Sequence, residues 1–460
     1  MADDLPPARE IPSALGASLK SWWAAGQKQS AIAEERLLRR LPFYRPSSSS
    51  PPTPSGPLTA YSSLIPLSNP KHFLNTLTIQ STSPSPTAPP PAVLLHGYGA
   101  GLGFFFLNLP SLASWAQSHH TSVYALDWLG MGRSARVPFV VKAKRDDTKK
   151  RVEEAERFFV DSLEEWRIKM GLERMTLIGH SLGAYLSVAY SLKYPERVHK
   201  LVLLSPAGVT RAPGVDDMER EVMDEQSLDV SGKESSTFQR ATKGRVKKLK
   251  SEQSDSQSQP QAQEPQSRTR RILYHLWEEG YSPFQLVRST LFYSPLLIGK
   301  YTSRRFPTLH PSEDATALND IHDYITNITL LPASGEYCIS HILAPGAHAR
   351  LPLVDRVAEL RDTKDAKSKE GRDIDVTFVY GEHDWMDPVG GFESLEKLRR
   401  VRVTKGLGSN GHNIKGGEGG DEDDPQLKAR MYIVEKAGHH VYLDNQKVVD
   451  ELIRRELERE

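Results

Sequence analysis

The sequence predicts an α/β chain with a mostly parallel central sheet, helices on both faces and an inserted helical cap. Three observations carry this expectation: short apolar runs alternate with helical stretches up to Gly208, the alternation returns at Asp375, and residues 209–372 interrupt it. Leu74 to Gln80, Ala92 to His96 and Ser122 to Asp127 read as strands, the second buried throughout. Arg151 to Met170 places Phe158, Phe159, Leu163 and Trp166 at helical spacing. A strand over Met175 to Ile178 then runs straight into a helix over Leu182 to Tyr194, and Leu201 to Ser205 is a further buried strand. Beyond the interruption come strands at Asp375 to Tyr380 and Met431 to Glu435, and a last helix from Val448. Helices between strands imply right-handed crossovers, hence parallel pairing.

The remaining segments set the domain organisation. Residues 1–45 form an amphipathic N-terminal segment, with Trp22, Trp23, Ile32, Leu37, Leu38 and Leu41 apolar and Lys20, Lys28, Arg36, Arg39 and Arg40 on the polar side of a helix over Ser18 to Leu41. Contact with a membrane surface and packing on the chain's own body both fit that pattern. Residues 46–58, rich in Ser and Pro, form a disordered linker, 59–208 the first part of the core, 209–372 the cap and 373–460 the second part. Within the cap, 227–266 is polar and carries six cations from Arg240 to Lys250 with no acid between them, a composition for a disordered stretch or an anionic-lipid patch. Ile272 to Phe306 is its most apolar part, suited to lining an acyl-chain cleft or to packing on the body. Residues 406–424 are Gly-rich and acidic.

Composition narrows the function classes. The 59 basic and 58 acidic residues leave a net charge of +1, which provides no global field for nucleic acid. A single cysteine, Cys338, excludes an intramolecular disulfide framework and a Cys-based metal site. The N-terminus is acidic and has no apolar signal region, and no apolar run reaches the roughly 18 residues of a membrane span.

The chemistry is concentrated in loops that follow strands. Gly179-His180-Ser181-Leu182-Gly183 joins a buried strand to a helix, the setting in which a strained turn lifts a serine clear of the sheet. Serine needs a base, and the base needs an orienting acid. Asp384, within Gly381-Glu382-His383-Asp384-Trp385-Met386-Asp387, is the chosen acid, with Asp387 the alternative. His439 is chosen as base over His440, which is expected to point outward. The order Ser, Asp, His is that of the α/β-hydrolase fold. His96 to Gly101 follows another buried strand, and its small residues suit an oxyanion hole made by the N–H groups of Tyr98 and Leu182. Asp127 to Ser134 reads as a tight structural turn beside the site. His439 and Asp444 also form H-x-x-x-x-D, a spacing that can pair a base with an acid for acyl transfer. No metal or organic cofactor is called for.

Taken together, His96 to Asn108, Asp127 to Ser134, Gly179 to Gly183, Ser282 to Phe284, Ser334 to Glu336, Tyr380 to Asp387 and Gly438 to Asp444 resemble the α/β-hydrolase-domain phospholipid deacylase and lysophosphatidic acid acyltransferase family. That family includes animal lysophospholipases, a lipid-droplet coactivator of triglyceride lipase and, nearest in likeness, the fungal mitochondrial cardiolipin-specific deacylase. The resemblance covers Ala31 to the C-terminus outside the linker and both low-complexity insertions. It implies a serine acyl hydrolase of membrane phospholipid, cardiolipin first, with lysophosphatidic acid acyltransferase activity through His439 and Asp444. It also implies peripheral membrane association and a mitochondrial location, the cytosol or a lipid-droplet surface being the alternatives. Ser181 stands where the coactivator branch has Asn, which favours the catalytic branch. Two rivals remain: a non-catalytic lipid-surface regulator of a lipase, and a soluble small-ester carboxylesterase.

Overall fold

The computed structural model describes residues 5–46, 56–211, 275–306, 311–345, 347–361, 374–406 and 428–459. The chain divides into two units, Met1–Arg211 with Gly280–Glu460, and Ala212–Glu279. The insertion expected over 227–266 lies outside the described residues, as do 47–55 of the linker and 407–424 of the Gly-rich stretch.

The first unit is built on one sheet of eight strands: β1 Leu58–Pro66, β2 Phe73–Ser81, β3 Ala92–Leu95, β4 Ser122–Leu126, β5 Met175–His180, β6 Val198–Leu204, β7 Asp375–Gly381 and β8 Ala429–Val434. Their spatial order is β1-β2-β4-β3-β5-β6-β7-β8. β1 and β2 pair antiparallel, β2 meets β4 antiparallel, and every pair from β4 to β8 is parallel. All residues of β3, β5 and β7 are buried, as strands covered on both faces require. Leu94, Ile178, Val202 and Val379 line one continuous core, and each such side chain stabilises the fold by about 2 kcal/mol relative to exposure. Truncating Leu94 to Ala would cost about 3 kcal/mol.

The helices of this unit are α1 Leu15–Ala24, α2 Gln27–Leu38, α3 Leu109–Ser118, α4 Thr148–Lys169, α5 Leu182–Lys193, α6 Pro283–Ser289, α7 Ser294–Arg305, α8 Pro311–Leu330, α9 Val389–Gly406 and α10 Gln446–Glu458, with shorter turns between them. Asp147 caps α4 by accepting from the Lys150 N–H at 3.1 Å, and buried Trp166 fixes its far end by donating to Thr76 Oγ1 at 3.0 Å. Among the described residues no helix is long and apolar enough to cross a membrane.

Three local expectations need correction. The single N-terminal helix is two, because the chain turns extended at Ala25 and Gly26. Glycine is a poor helix former, and the pieces seek different partners: α2 packs on α8, α1 on α7. β1 was not expected; its Ser and Tyr residues blur the alternation, and its neighbour β2 supplies the register. α3 was also not read, since Pro110 at its start resembles a loop signal but is tolerated in a first helical turn.

Candidate active site

The strand order reverses beside β3, with β4 on one side and β5 on the other, and such a switch opens a crevice at the C-terminal strand ends. Ser181 lies there, between β5 and α5, with φ 52° and ψ −115°. That backbone region is strained for a residue with a Cβ. It is held by three main-chain bonds: the Ser181 N–H donates to the Leu204 carbonyl at 2.9 Å, and the Ser181 carbonyl accepts from Tyr185 and Ala207. Gly183 is required by close approach, since a methyl group there would lie 2.3 Å from the Leu95 carbonyl oxygen.

Ser181, His439 and Asp384 meet. His439 Nε2 lies 3.0 Å from Ser181 Oγ, and His439 Nδ1 lies 3.1 Å from Asp384 Oδ1. An ionised carboxylate only accepts, so Nδ1 carries the proton and Nε2 is free to accept from the serine hydroxyl. The Asp384 side chain is fully buried and also accepts from the Met386 N–H at 3.0 Å. Asp387, the alternative acid, accepts from the Val389 N–H at 2.9 Å. Each loop leaves a strand end, β7 for the acid and β8 for the base, which is why residues far apart in sequence converge. A relay of this kind can take a proton from a hydroxyl and stabilise the resulting imidazolium.

The expected oxyanion donors sit on two segments that touch at Ser181. Leu182 opens α5, and Tyr98 follows Gly97, where a methyl group would come within 3.1 Å of Ser181 Cβ and 2.8 Å of His180 Nδ1. The Tyr98 side chain turns to the insertion, where its hydroxyl meets Ser282 Oγ at 3.0 Å and its ring meets Phe284 at 5.2 Å. Burial raises the Tyr98 phenol well above its ordinary range.

The turn over Asp127 to Ser134 supports this loop from below. Asp127 Oδ1 accepts from the Leu102 N–H, and Oδ2 from the Arg133 N–H, both at 2.7 Å. Asn75 links Asp127 to Glu34 of α2, and Tyr324 of α8 accepts from the Gly103 N–H at 3.1 Å. Burial pushes the Glu34 carboxyl up to about 7 against the opposing pull of Arg133, its ion-pair partner. Sequence reading missed this network because its members lie on four elements. His96 donates from Nδ1 to the Gly97 carbonyl at 2.8 Å and accepts at Nε2 from the Trp128 N–H at 3.1 Å, which fixes the neutral ring. Burial holds its pKa down.

Two expectations around the base change. His440 does not point outward: its ring lies 4.8 Å from that of His180 and 6.3 Å from that of Phe104. Burial, then the charge of neighbouring groups, lowers its pKa far below the ordinary value. The short turn over Val441–Asp444 swings the side chain in. Asp444 does not bond the His439 ring; it accepts from the Gly438 N–H at 2.9 Å and pairs with Arg305 of α7 at 2.5 Å. His180, unremarked in the sequence beyond its motif, donates from Nε2 to the His439 carbonyl at 3.0 Å. Glu336 of the Ser334 to Glu336 motif holds Arg288 of α6 and lies 3.7 Å from Arg136, so it anchors the insertion. Among the described residues no group of acidic, His and Cys side chains is arranged to hold a metal ion.

Comparison with known proteins fits this architecture. The model of the alpha/beta hydrolase fold family matches residues 90–446. A probable 1-acylglycerol-3-phosphate O-acyltransferase of Oryza sativa subsp. japonica is 31% identical over 340 residues, covering 73% of this chain and 65% of that protein. The human 1-acylglycerol-3-phosphate O-acyltransferase ABHD5 is 46% identical over 132 residues, 29% of this chain and 34% of its own. The chain thus spans less than two thirds of the length of these relatives. Among solved structures, proline iminopeptidase of Mycobacterium smegmatis is similar with a TM-score of 0.44 at 15% identity, covering 86% of this chain and 97% of that one. With a family model matched over most of its length and the strand order, elbow and loop positions described above, the chain belongs to the α/β-hydrolase fold family.

Proposed function

We propose that this protein is a serine-dependent acyl hydrolase of membrane phospholipid that also transfers the acyl group to a lysolipid. The observation that carries the reading is the Ser181, His439 and Asp384 relay at a strained strand-to-helix turn. In this mechanism His439 takes the Ser181 proton as Oγ attacks the acyl carbonyl, and the N–H groups of Tyr98 and Leu182 hold the oxyanion. His439 then returns the proton to the departing lipid oxygen, leaving an acyl-serine. Water, or the hydroxyl of 1-acylglycerol-3-phosphate, resolves it with His439 again as base. The names of the plant and human relatives support the lysolipid acceptor; the motif resemblance makes cardiolipin the first donor to test and a mitochondrial membrane the first location.

Mass spectrometry of products from the purified protein and its Ser181→Ala variant tests this on mixed vesicles of cardiolipin, phosphatidylethanolamine and phosphatidylcholine, with and without lysophosphatidic acid. Ser181-dependent monolysocardiolipin supports deacylation, and newly formed phosphatidic acid supports transfer. No lipid product from a folded protein that also fails to label with a fluorophosphonate overturns the enzyme reading in favour of a lipase regulator. Turnover of small soluble esters alone points to the carboxylesterase.

A further inference from the structure

Two helices from distant parts of the chain present apolar stripes to solvent side by side. On α1, Leu15, Leu19 and Trp23 recur at four-residue spacing, hence on one face, and are 45%, 46% and 80% exposed. Tyr293, Leu297 and Tyr301 repeat the spacing along α7 and the residue before it, at 50%, 43% and 41% exposure. The opposite faces are buried, at Ser18 and Ser21 on α1 and at Ile298 and Thr302 on α7. α1 packs on α7 and on the turn that leads into it, and Ser18 Oγ donates to the Phe292 carbonyl at 2.5 Å. The stripes therefore form one ridge, larger than the scattered apolar residues of an ordinary surface.

Charge along the two segments that carry the ridge is basic, although exposed Glu10 lies next to Ile11, which packs near Gly299 of α7. Residues 11–33 and 281–306 contain no Asp or Glu, whereas Lys20, Lys28, Lys300 and Arg304 are exposed among them. In a chain whose net charge is only +1 this is a local excess. We propose that the ridge docks on the surface of an anionic phospholipid bilayer. Trp and Tyr suit the boundary between headgroups and acyl chains, and the cations around them gain from an anionic surface. A second copy of the chain is a poorer occupant, because a two-fold interface sets this patch against itself and brings like charges together. The ridge also ends at the site: Tyr301 is one helical turn before Arg305, which pairs with Asp444 and bonds the His440 carbonyl at 3.4 Å. A bilayer held there offers its lipids beside the base loop. The inference rests on the phospholipid reading above and adds the surface that meets the lipid.

Vesicle co-sedimentation of the full chain carrying Ser181→Ala tests it without turnover, using phosphatidylcholine alone and phosphatidylcholine mixed with phosphatidylglycerol. Binding to the mixed vesicles should fall about tenfold or more in Leu19→Ser/Trp23→Ser/Leu297→Ser. Lys20→Glu/Lys300→Glu should lower it about fivefold per cation removed, with little change on neutral vesicles. The same substitutions on the Ser181 background should leave hydrolysis of p-nitrophenyl butyrate unchanged, since every substituted side chain is exposed. Binding by the triple variant equal to its parent's overturns the proposal. So does self-association in sedimentation equilibrium that the triple substitution abolishes while the parent ignores vesicles, which would make the ridge an interface between copies. A protein that binds vesicles as described but releases no lipid product keeps the docking face and loses the proposed activity.

Discussion

Arg305, the last residue of α7, and Asp444, six residues after Gly438 in the base loop, form a salt bridge of 2.5 Å. The other Asp444 oxygen accepts from the Gly438 N–H, so one carboxylate fastens both the insertion and the main chain beside His439. This geometry makes Asp444 a positioning residue and leaves the orientation of the imidazole to Asp384. Asp444→Ala should therefore lower kcat about tenfold, a loss of the size of one hydrogen bond to a charged group, with KM for a soluble ester little changed. Asp444→Asn, which keeps an acceptor for Gly438, should recover most of that loss. The ratio of transfer to hydrolysis should stay constant across both variants; a selective loss of transfer would assign Asp444 to the acceptor chemistry instead.

The two carboxylates of the acid loop give a sharper contrast. Asp384→Asn preserves shape but removes the charge that holds the Nδ1 proton, and kcat should drop roughly 10³- to 10⁴-fold. Asp387 accepts from the backbone at the start of α9, so Asp387→Asn should change kcat by no more than about threefold and act mainly on stability. Pre-steady-state labelling by a fluorophosphonate under matched conditions separates the two, because the labelling rate reports the activated serine. Equal losses in both variants would put the orienting charge in doubt.

How much of this was legible in the sequence depends on the range of each contact. Ser181, Asp384 and His439 could be chosen because each follows a strand, and strand ends are written locally in runs of apolar residues. The order of those strands, with β3 between β4 and β5, is a matter of pairing between distant segments and could only be expected by analogy. His440 differs from expectation for a similar reason: its inward direction is set by the turn at Val441–Asp444 and by the ring of His180, 260 positions earlier in the chain. Arg305 carried no signal, since an arginine ending a helix more often meets solvent or a helix C-terminus than an aspartate of another loop. Glu34 carries no local signal either: an acid within a helix ordinarily faces solvent, whereas this one lies buried against Asn75 and Arg133.

Backbone strain at the elbow predicts a trade between activity and stability. Ser181 occupies φ 52°, where only glycine rests without cost, and three main-chain hydrogen bonds hold it there. Ser181→Gly should abolish acyl-serine formation while raising the unfolding free energy by about 1 kcal/mol, measured by urea denaturation against wild type. Ser181→Ala, which keeps a Cβ, should be inactive without that gain. Equal stability of the Gly and Ala variants would show that the surrounding hydrogen bonds, not the side chain, set the energy of the turn.

Glu34 predicts a stability that declines as pH rises. Its carboxyl is raised from 4.5 to about 7 in the folded state, chiefly by burial, whereas the unfolded chain ionises near the ordinary value. Between those two values the folded state binds more protons than the unfolded one, so folding is favoured below pH 4.5 and loses that contribution as pH climbs through 7. The slope for one such group reaches at most about 1.4 kcal/mol per pH unit, and the ion pair with Arg133 works against it. Glu34→Gln keeps the hydrogen bond with Asn75 and removes the titration. Urea denaturation at intervals from pH 5 to pH 8 should show wild type losing stability relative to Glu34→Gln as pH rises, with the change complete above pH 7. Because Asn75 connects Glu34 to Asp127, and Asp127 holds the Leu102 N–H beside the Tyr98 loop, turnover of a soluble ester should lose part of its alkaline decline in the variant. A constant difference between the two proteins across that range would mean that Glu34 keeps one protonation state throughout, with Arg133 holding its charge despite burial.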